Sequence, residues 1–186
     1  MASAQSLPGS GPEDTEGRVG MIVLRNAVVV DGSADQPPPP IDVLIEGDTI
    51  REVGPKLKSE AEPIDLSGKT LMPGLIDCHV HVVAGMVNLA QNALLPDSLV
   101  AARAAGIMRA MLMRGFTTVR DVGGADVGLK LAIEEGAIPG PRLVISGKAL
   151  SQTGGHGDFR ARGDMLEPCS CCFRAGAIAR VVDGVD

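Results

Sequence analysis

The sequence predicts an α/β fold in which a small β-rich segment precedes a parallel sheet with helical crossovers. Up to Pro73 the chain alternates short β-branched runs with turn signals, whereas beyond it strand-like runs alternate with helical ones. This alternation is typical of parallel strands joined by right-handed crossovers. A closed β/α barrel needs eight such units and about 200 residues or more. Residues 73–186 supply only three complete strands, so the sequence predicts either the front part of a barrel or a smaller open sheet.

The first segment begins after a tail. Residues 1–20 are rich in Ser, Gly, Pro and acidic groups and cannot bury apolar surface, so we expect them to be disordered. The run MIVLRNAVVV from Met21 predicts a strand. Residues 41–55 predict two short strands around a Glu-Gly-Asp turn, which together form a small antiparallel unit. Residues 63–72 add two further short strands around a Ser-Gly turn.

The second segment has a longer repeat of elements. We expect a strand at 75–82, a helix from Asp97 that ends at Gly115, a strand at 116–122, a helix at 126–135 and a strand at 142–146. The stretch that follows the last strand predicts a long Gly-rich loop, and residues 175–186 predict the start of another helix.

Composition narrows the class of protein. A formal net charge of -6 argues against a nucleic-acid surface, which needs clustered Lys and Arg. No apolar run approaches the roughly 18 residues of a membrane span, and the first residues lack the pattern of a secretory leader. Four Cys are too few and too unevenly spread for a disulfide framework. The sequence therefore predicts a soluble, cytoplasmic protein with reduced thiols that binds neither nucleic acid nor membrane.

Two of the three histidines lie one residue apart, in the run PGLIDCHVHV. Successive residues of a strand face opposite ways, so Asp77, His79 and His81 are expected on one face, opposite a uniformly apolar one. The two imidazoles would have Cα atoms about 6 to 7 Å apart and could converge on one divalent ion, for which zinc is a natural choice.

The position of His79 and His81 in the predicted fold favours a metal site over the alternative that they are ordinary core or surface histidines. The pair lies at the carboxyl end of the first parallel strand, which is where β/α barrels assemble their active sites. The flanking residues, the preceding β unit and the following β/α units all agree with that placement.

Further polar residues accompany the pair. Asp77 is a candidate partner that fixes an imidazole tautomer. His156, in the Gly-rich run TGGHGD, could orient substrate or support the metal site, and a local loop hydrogen bond explains it equally well. Arg120 and Asp121 end the second parallel strand, where we expect a helix cap or an ion pair between strands.

The remaining cysteines cluster in PCSCCF. Cys169, Cys171 and Cys172 could suggest a structural zinc site, but adjacent cysteines point apart and no second pair completes a tetrahedron. Free thiols are the favoured interpretation.

Several motifs resemble a known family. LMPGLIDCHVHV after a short β segment resembles the amidohydrolase superfamily. GFTTVRDVGG, GPRLVISGKALSQTGGHGD and PCSCCFRAGAIARVVDGVD, which follow in that order, are similar to one branch of it. The similarity is to the branch of Xaa-Pro dipeptidases, Arg/Lys carboxypeptidases and imidazolonepropionase-like enzymes, and it spans roughly residues 21–186.

The resemblance implies a (β/α)8 TIM-type barrel with a binuclear zinc site. His79 and His81 would be ligands of the first metal, and the family's other ligands belong to later strands that have no counterpart here. The implied organisation is a disordered tail at 1–20, part of a small β-sandwich at 21–72, and the first units of an incomplete barrel at 73–186.

The implied activity is that of a metal-dependent hydrolase. The family hydrolyses a C-N amide or peptide bond with a metal-activated hydroxide, and a dipeptide or N-acyl amino acid is the expected substrate. As an N-terminal fragment the 186-residue chain alone is expected to be inactive. Two alternatives are a non-catalytic truncated product and a small metal-binding module that acts through association with another chain. Homo-oligomer formation stays open.

Overall fold

The computed structural model describes residues 20–33, 35–36, 38–160 and 175–184. The chain divides into two compact units, and the boundary lies between Pro73 and Gly74. Most of the predicted tail and the whole Cys169–Cys172 cluster lie outside the described residues. Across the described ranges, none of the helices has the length and apolar character needed to span a bilayer.

The first unit is a mixed five-stranded sheet. Its strands are β1 (Met21–Val29), β2 (Ile41–Glu46), β3 (Thr49–Gly54), β4 (Pro63–Asp65) and β5 (Thr70–Leu71). The predicted antiparallel pair around Gly47 is confirmed, with Gly47 at φ +60°. The two short strands around Gly68 are also present, but each runs parallel to β1, so the unit is mixed rather than antiparallel.

A buried carboxylate joins the strands of the first unit. Asp42 is 5% exposed and accepts the Arg25 guanidinium at 2.7 Å. It also accepts the backbone N–H groups of Asn26, at 3.2 Å, and Leu57, at 3.1 Å. Asn26 lies in a bulge of β1 at φ +59°. Asp42 therefore satisfies backbone donors that the strand ladder cannot reach.

Asp42→Asn is expected to flatten the acid dependence of stability. Burial alone would raise the pKa of Asp42, but hydrogen bonds from Asn26, Leu57 and Arg25 outweigh it and hold the pKa below its ordinary value of 3.8. Such a carboxylate stabilises the fold fully above its unfolded pKa, and that contribution is lost as the pH falls through the folded pKa. Urea unfolding at neutral pH and in steps below pH 3.8 measures the effect. An unchanged acid slope in the variant would contradict the assignment.

The second unit contains three adjacent parallel strands in the order β6-β7-β8. Its elements up to the third of these strands are β6 (Leu75–Val80), α1 (Leu89–Asn92), α2 (Asp97–Met113), β7 (Phe116–Asp121), α3 (Val127–Glu134) and β8 (Arg142–Ile145). Up to β8 the predicted alternation of strands and helices is confirmed, and the single-turn α1 is the one element of this stretch that was not predicted. Three strands with two helical crossovers are the described part of the β/α architecture.

Helix α2 packs on this sheet through one apolar stripe. Val100, Ala104 and Met108 are buried in one core with Val119 of β7 and Leu143 of β8. The spacing of three to four residues places these side chains on one helix face. The helix ends before Gly115, whose φ of +92° suits a left-handed turn after a helix.

The chain after β8 departs from the sequence prediction. Ala149–Ser151 forms strand β9 at the start of the expected loop, and Ala179–Val181 forms strand β10 where a helix was expected. The two pair in parallel, and Ala149 N–H donates to the Ile178 carbonyl at 3.0 Å. The helix prediction is wrong because residues 179–181 form backbone hydrogen bonds with a distant strand, and such tertiary pairing overrides a weak local preference for helix.

Candidate metal centre

His79 and His81 lie together at the carboxyl end of the first parallel strand. His79 is the penultimate residue of β6, and His81 follows the strand directly. Their ring centroids are 5.5 Å apart, with the ring planes at 79°. His79 is exposed and His81 half-buried. The structure thus places the two imidazoles side by side, although the β6–β7 register shifts between Asp77 and Val80.

The ring of His81 is held by a backbone carbonyl. Its Nδ1 lies 2.8 Å from the carbonyl oxygen of Gly123, in the turn after β7. A carbonyl oxygen only accepts, so Nδ1 carries the proton of this hydrogen bond, and in the neutral imidazole the lone pair is then on Nε2. Metal-binding histidines characteristically donate their other ring N–H in this way.

Asp77 contacts the backbone next to the pair. Its Oδ1 accepts the N–H of His79 at 3.0 Å. The proposed role of Asp77 in fixing a tautomer stays a prediction. The Gly123 carbonyl that orients His81 was not foreseen, because a backbone acceptor in a distant turn leaves no side-chain signature in the sequence.

The outer face of β6 is less buried than the sequence predicts. Val80 and Val82 are buried as expected, but Ile76 is 67% exposed and Cys78 is also exposed. In the described sheet β6 is an edge strand, and neither Ile76 nor Cys78 belongs to the core that α2 forms with the sheet.

Asp121 is the buried carboxylate of this region. Its Oδ2 accepts the N–H of Val82 at 2.7 Å, and its Oδ1 accepts those of Gly123, at 2.9 Å, and Ala125, at 3.1 Å. The side chain is fully buried. The expected cap or ion pair is wrong, since α3 is capped by Asp126 through the N–H of Leu129. An acidic residue between a buried strand and two glycines is the signal that could have indicated this role.

Arg120, the residue before Asp121, is exposed. Its Nε donates to the carbonyl of Cys78 on the neighbouring strand at 2.9 Å. This hydrogen bond joins the Arg120 side chain on β7 to the backbone of β6. Among the described residues Arg120 does not form the expected ion pair between strands.

The turn after β7 approaches its neighbours closely. A Cβ on Gly123 would lie 2.9 Å from the Ile178 carbonyl oxygen and 3.2 Å from Cε1 of His81. Gly124 has φ +117° and donates its N–H to the Gly147 carbonyl at 2.7 Å. Any side chain at Gly123 would displace the imidazole or the strand that contacts it.

His156 lies in an exposed turn of the Gly-rich loop after β9. The turn is fixed by Asp158, whose carboxylate accepts the N–H of Gly154 at 2.8 Å and Nε of Arg160 at 2.7 Å. The bond from the Arg160 side chain, with that from Gly154, lowers the pKa of Asp158. The loop is therefore ordered around His156, whose part in binding stays a prediction.

Lys148 lies at the start of the same loop. Its Nζ donates to the carbonyl of Ala177 at 2.5 Å. Burial lowers the pKa of Lys148, and the carboxylates of Asp97 and Asp126 oppose that shift. The amine therefore joins the loop to the segment before β10.

The two histidines fit a divalent ion as part of a ligand set. One imidazole has a fixed free Nε2 and the other is an exposed neighbour. Neutral imidazole suits zinc and related ions. Within the described ranges no three His, Cys, Asp or Glu side chains are close enough to hold an ion together. The pair alone would thus supply two of the four ligands of a tetrahedral site.

The sequence profile of the amidohydrolase family matches residues 70–176, more than half of the chain. The chain belongs to the amidohydrolase family. Both histidines and the Asp121 turn lie within the matched range.

Solved structures of related enzymes have the same fold. A prolidase complexed with N-methylphosphonate-L-proline is 56% identical, with a TM-score of 0.82, over 89% of this chain and 41% of its own. A Xaa-Pro dipeptidase with bound methionine is 30% identical, with a TM-score of 0.69, over 80% of this chain and 39% of its own. Among curated proteins, the ochratoxinase of Aspergillus niger is 43% identical over 98 residues, 49% of this chain and 20% of the relative. The chain thus spans less than half the length of these relatives.

Proposed function

We propose that this chain is the metal-binding front part of a metal-dependent amidohydrolase that cleaves a C-N bond in a dipeptide or N-acyl amino acid. The observation that carries the proposal is the His79–His81 pair, with His81 Nδ1 bonded to the Gly123 carbonyl at the carboxyl end of β6. Family membership supports the reaction class, and the names of the similar prolidase and Xaa-Pro dipeptidase support the dipeptide substrate.

The chain's own residues have distinct parts in this proposal. Nε2 of His81 and the ring of His79 would hold one divalent ion, for which we propose zinc. When bound, such an ion supplies Lewis acidity toward a substrate carbonyl and toward water. Asp77 holds the backbone of His79, and His156 would orient the substrate from the Gly-rich loop.

Catalysis needs groups beyond the pair, so we expect no hydrolysis by the 186-residue chain alone. Two imidazoles leave half of a tetrahedral coordination sphere without protein ligands. The chain spans 41% of the similar prolidase, which leaves room for the other ligands in a longer protein.

Metal content and hydrolysis test the proposal together. The 186-residue chain and a version extended through any downstream reading frame are loaded with Zn²⁺, analysed for metal and assayed on a panel of dipeptides and N-acyl amino acids. We expect roughly two zinc ions and hydrolysis in the extended form. The 186-residue chain should bind zinc weakly and hydrolyse nothing, because the His79–His81 pair supplies only two of the four ligands of a tetrahedral site. Tight, stoichiometric zinc in the short form, or a zinc-loaded extended form that cleaves nothing on the panel, would contradict the proposal.

Exposed apolar strands favour the alternative of a non-catalytic chain that associates with another. Ile76 on β6 is 67% exposed and Leu150 on β9 is 75% exposed. Exposed apolar strand surface promotes association. This alternative predicts a stable complex with a second chain and no hydrolysis in any extended form.

Cys169→Ser separates the proposal from a small metal-binding module that uses the cysteine cluster. The amidohydrolase proposal predicts little change in zinc content, because sulfur is not among its ligands. The module predicts that Cys169→Ser removes as much zinc as His79→Ala does. Elemental analysis of the two purified variants decides between them.

A further inference from the structure

Asp121 accepts hydrogen bonds from two backbone positions that determine how His81 is held. Its Oδ2 binds the N–H of Val82, the residue that follows His81 in the chain. Its Oδ1 binds the N–H of Gly123, whose carbonyl accepts the His81 ring. One fully buried carboxylate thus binds both the backbone next to the imidazole and the turn that supplies its acceptor.

We propose that Asp121 is a positioning residue that sets the tautomer and ring orientation of His81 through Val82 and Gly123, and so tunes metal affinity without touching the metal. The inference rests on the proposed metal-binding role of His81, but its first step, from Asp121 to the tautomer, stands on hydrogen bonds alone.

The geometry makes the carboxylate specific for this task. Among the described residues the three donors to Asp121 are backbone N–H groups, so both of its oxygens must accept. An Asn in its place would put its NH₂ group against at least one N–H donor, whichever way the amide is turned. Val82 or Gly123 would then move, and the Gly123 carbonyl would leave the His81 ring.

If Asp121 only stabilised the fold, its replacement would not be expected to change the tautomer of the His81 imidazole. Asp42 supplies the matched control, because it is a buried carboxylate that accepts two backbone N–H groups and a guanidinium within the other unit. Asp42→Asn should reduce stability and leave His81 unchanged.

The first arm of the test is NMR on metal-free protein. Long-range ¹H–¹⁵N spectra of the histidine rings distinguish the Nδ1–H from the Nε2–H tautomer. We expect His81 of the native chain and of Asp42→Asn to be the Nδ1–H tautomer. Asp121→Asn should shift His81 toward Nε2–H. The proposal is overturned if His81 keeps the same tautomer in Asp121→Asn, or is not Nδ1–H in the native chain.

The second arm is Zn²⁺ affinity, measured by competition with a chromophoric chelator. We expect Asp121→Asn to bind about 10- to 100-fold more weakly, the range typical of lost outer partners of ligating histidines. Asp42→Asn should match the native chain, and equal affinities in the two variants would overturn the tuning step. If the native chain and His79→Ala both fail to bind Zn²⁺, the proposed function fails, while the tautomer still decides the role of Asp121.

If Asp121→Asn does not fold, amide exchange on the native chain replaces both arms. Coupling is reciprocal, so an ion that orders His81 should also strengthen the bonds to Asp121. Adding Zn²⁺ should slow exchange at Val82 and Gly123 and leave the amide of Leu57, which binds Asp42, unchanged. Unslowed exchange at Val82 and Gly123 would overturn the proposal.

Discussion

Replacing His81 by alanine is expected to weaken Zn²⁺ binding by on the order of 100-fold or more. Loss of a residue that only hydrogen-bonds a metal-binding histidine typically weakens metal binding about 10- to 100-fold, and loss of the histidine itself should cost at least as much. The change removes an imidazole whose orientation is fixed by a hydrogen bond at Nδ1, and it leaves the Gly123 carbonyl without its ring partner. Chelator competition measures the affinity, and circular dichroism confirms that the fold is retained.

His156→Ala is the matched control for that change. It also removes an imidazole, but from an exposed turn in the Gly-rich loop. We expect a much smaller loss of Zn²⁺ affinity than for His81→Ala. Equal losses in the two variants would show that the ion is not held at the end of β6.

Gly124→Ala is expected to destabilise the second unit by about 3 kcal/mol, from backbone strain and overpacking combined. Gly124 adopts φ +117°, a conformation that strains any residue with a side chain. A Cβ there would clash with Val83 and lie 3.1 Å from Cγ2 of Ile178. Urea unfolding of the native and variant chains gives the difference in the free energy of unfolding.

Gly106→Ala is the contrasting control. Gly106 lies within α2, and an added Cβ would meet no atom within 4 Å. This change should raise stability by about 0.5 to 1 kcal/mol, because glycine is a poor helix former. If both glycine variants were equally stable, the close packing described for the turn after β7 would be incorrect.

The β/α part of the fold could be predicted because its signals are local. Val100, Ala104 and Met108 repeat at helical spacing, and glycines such as Gly115 mark helix ends. The pairing of β9 with β10 joins segments some thirty residues apart, and short apolar runs do not specify their partners. A three-residue strand such as Ala179–Val181 therefore has no periodicity to distinguish it from a helix start.

The candidate site shows the same division. Strand alternation was enough to predict His79 and His81 as neighbours, because that relation depends on one strand only. The Gly123 carbonyl and the Asp121 carboxylate act between turns that follow different strands. Their roles depend on how two parallel strands end side by side, which no single stretch of sequence encodes.

Zinc K-edge X-ray absorption on the zinc-loaded chain tests the central claim most directly, because it reports which atoms bind the metal. The proposal predicts imidazole nitrogens at about 2.0 to 2.1 Å, roughly two per zinc, and no sulfur. His79→Ala should remove about half of the imidazole signal. A sulfur shell at about 2.3 Å, or an imidazole signal unchanged in His79→Ala, would contradict a metal centre at His79 and His81.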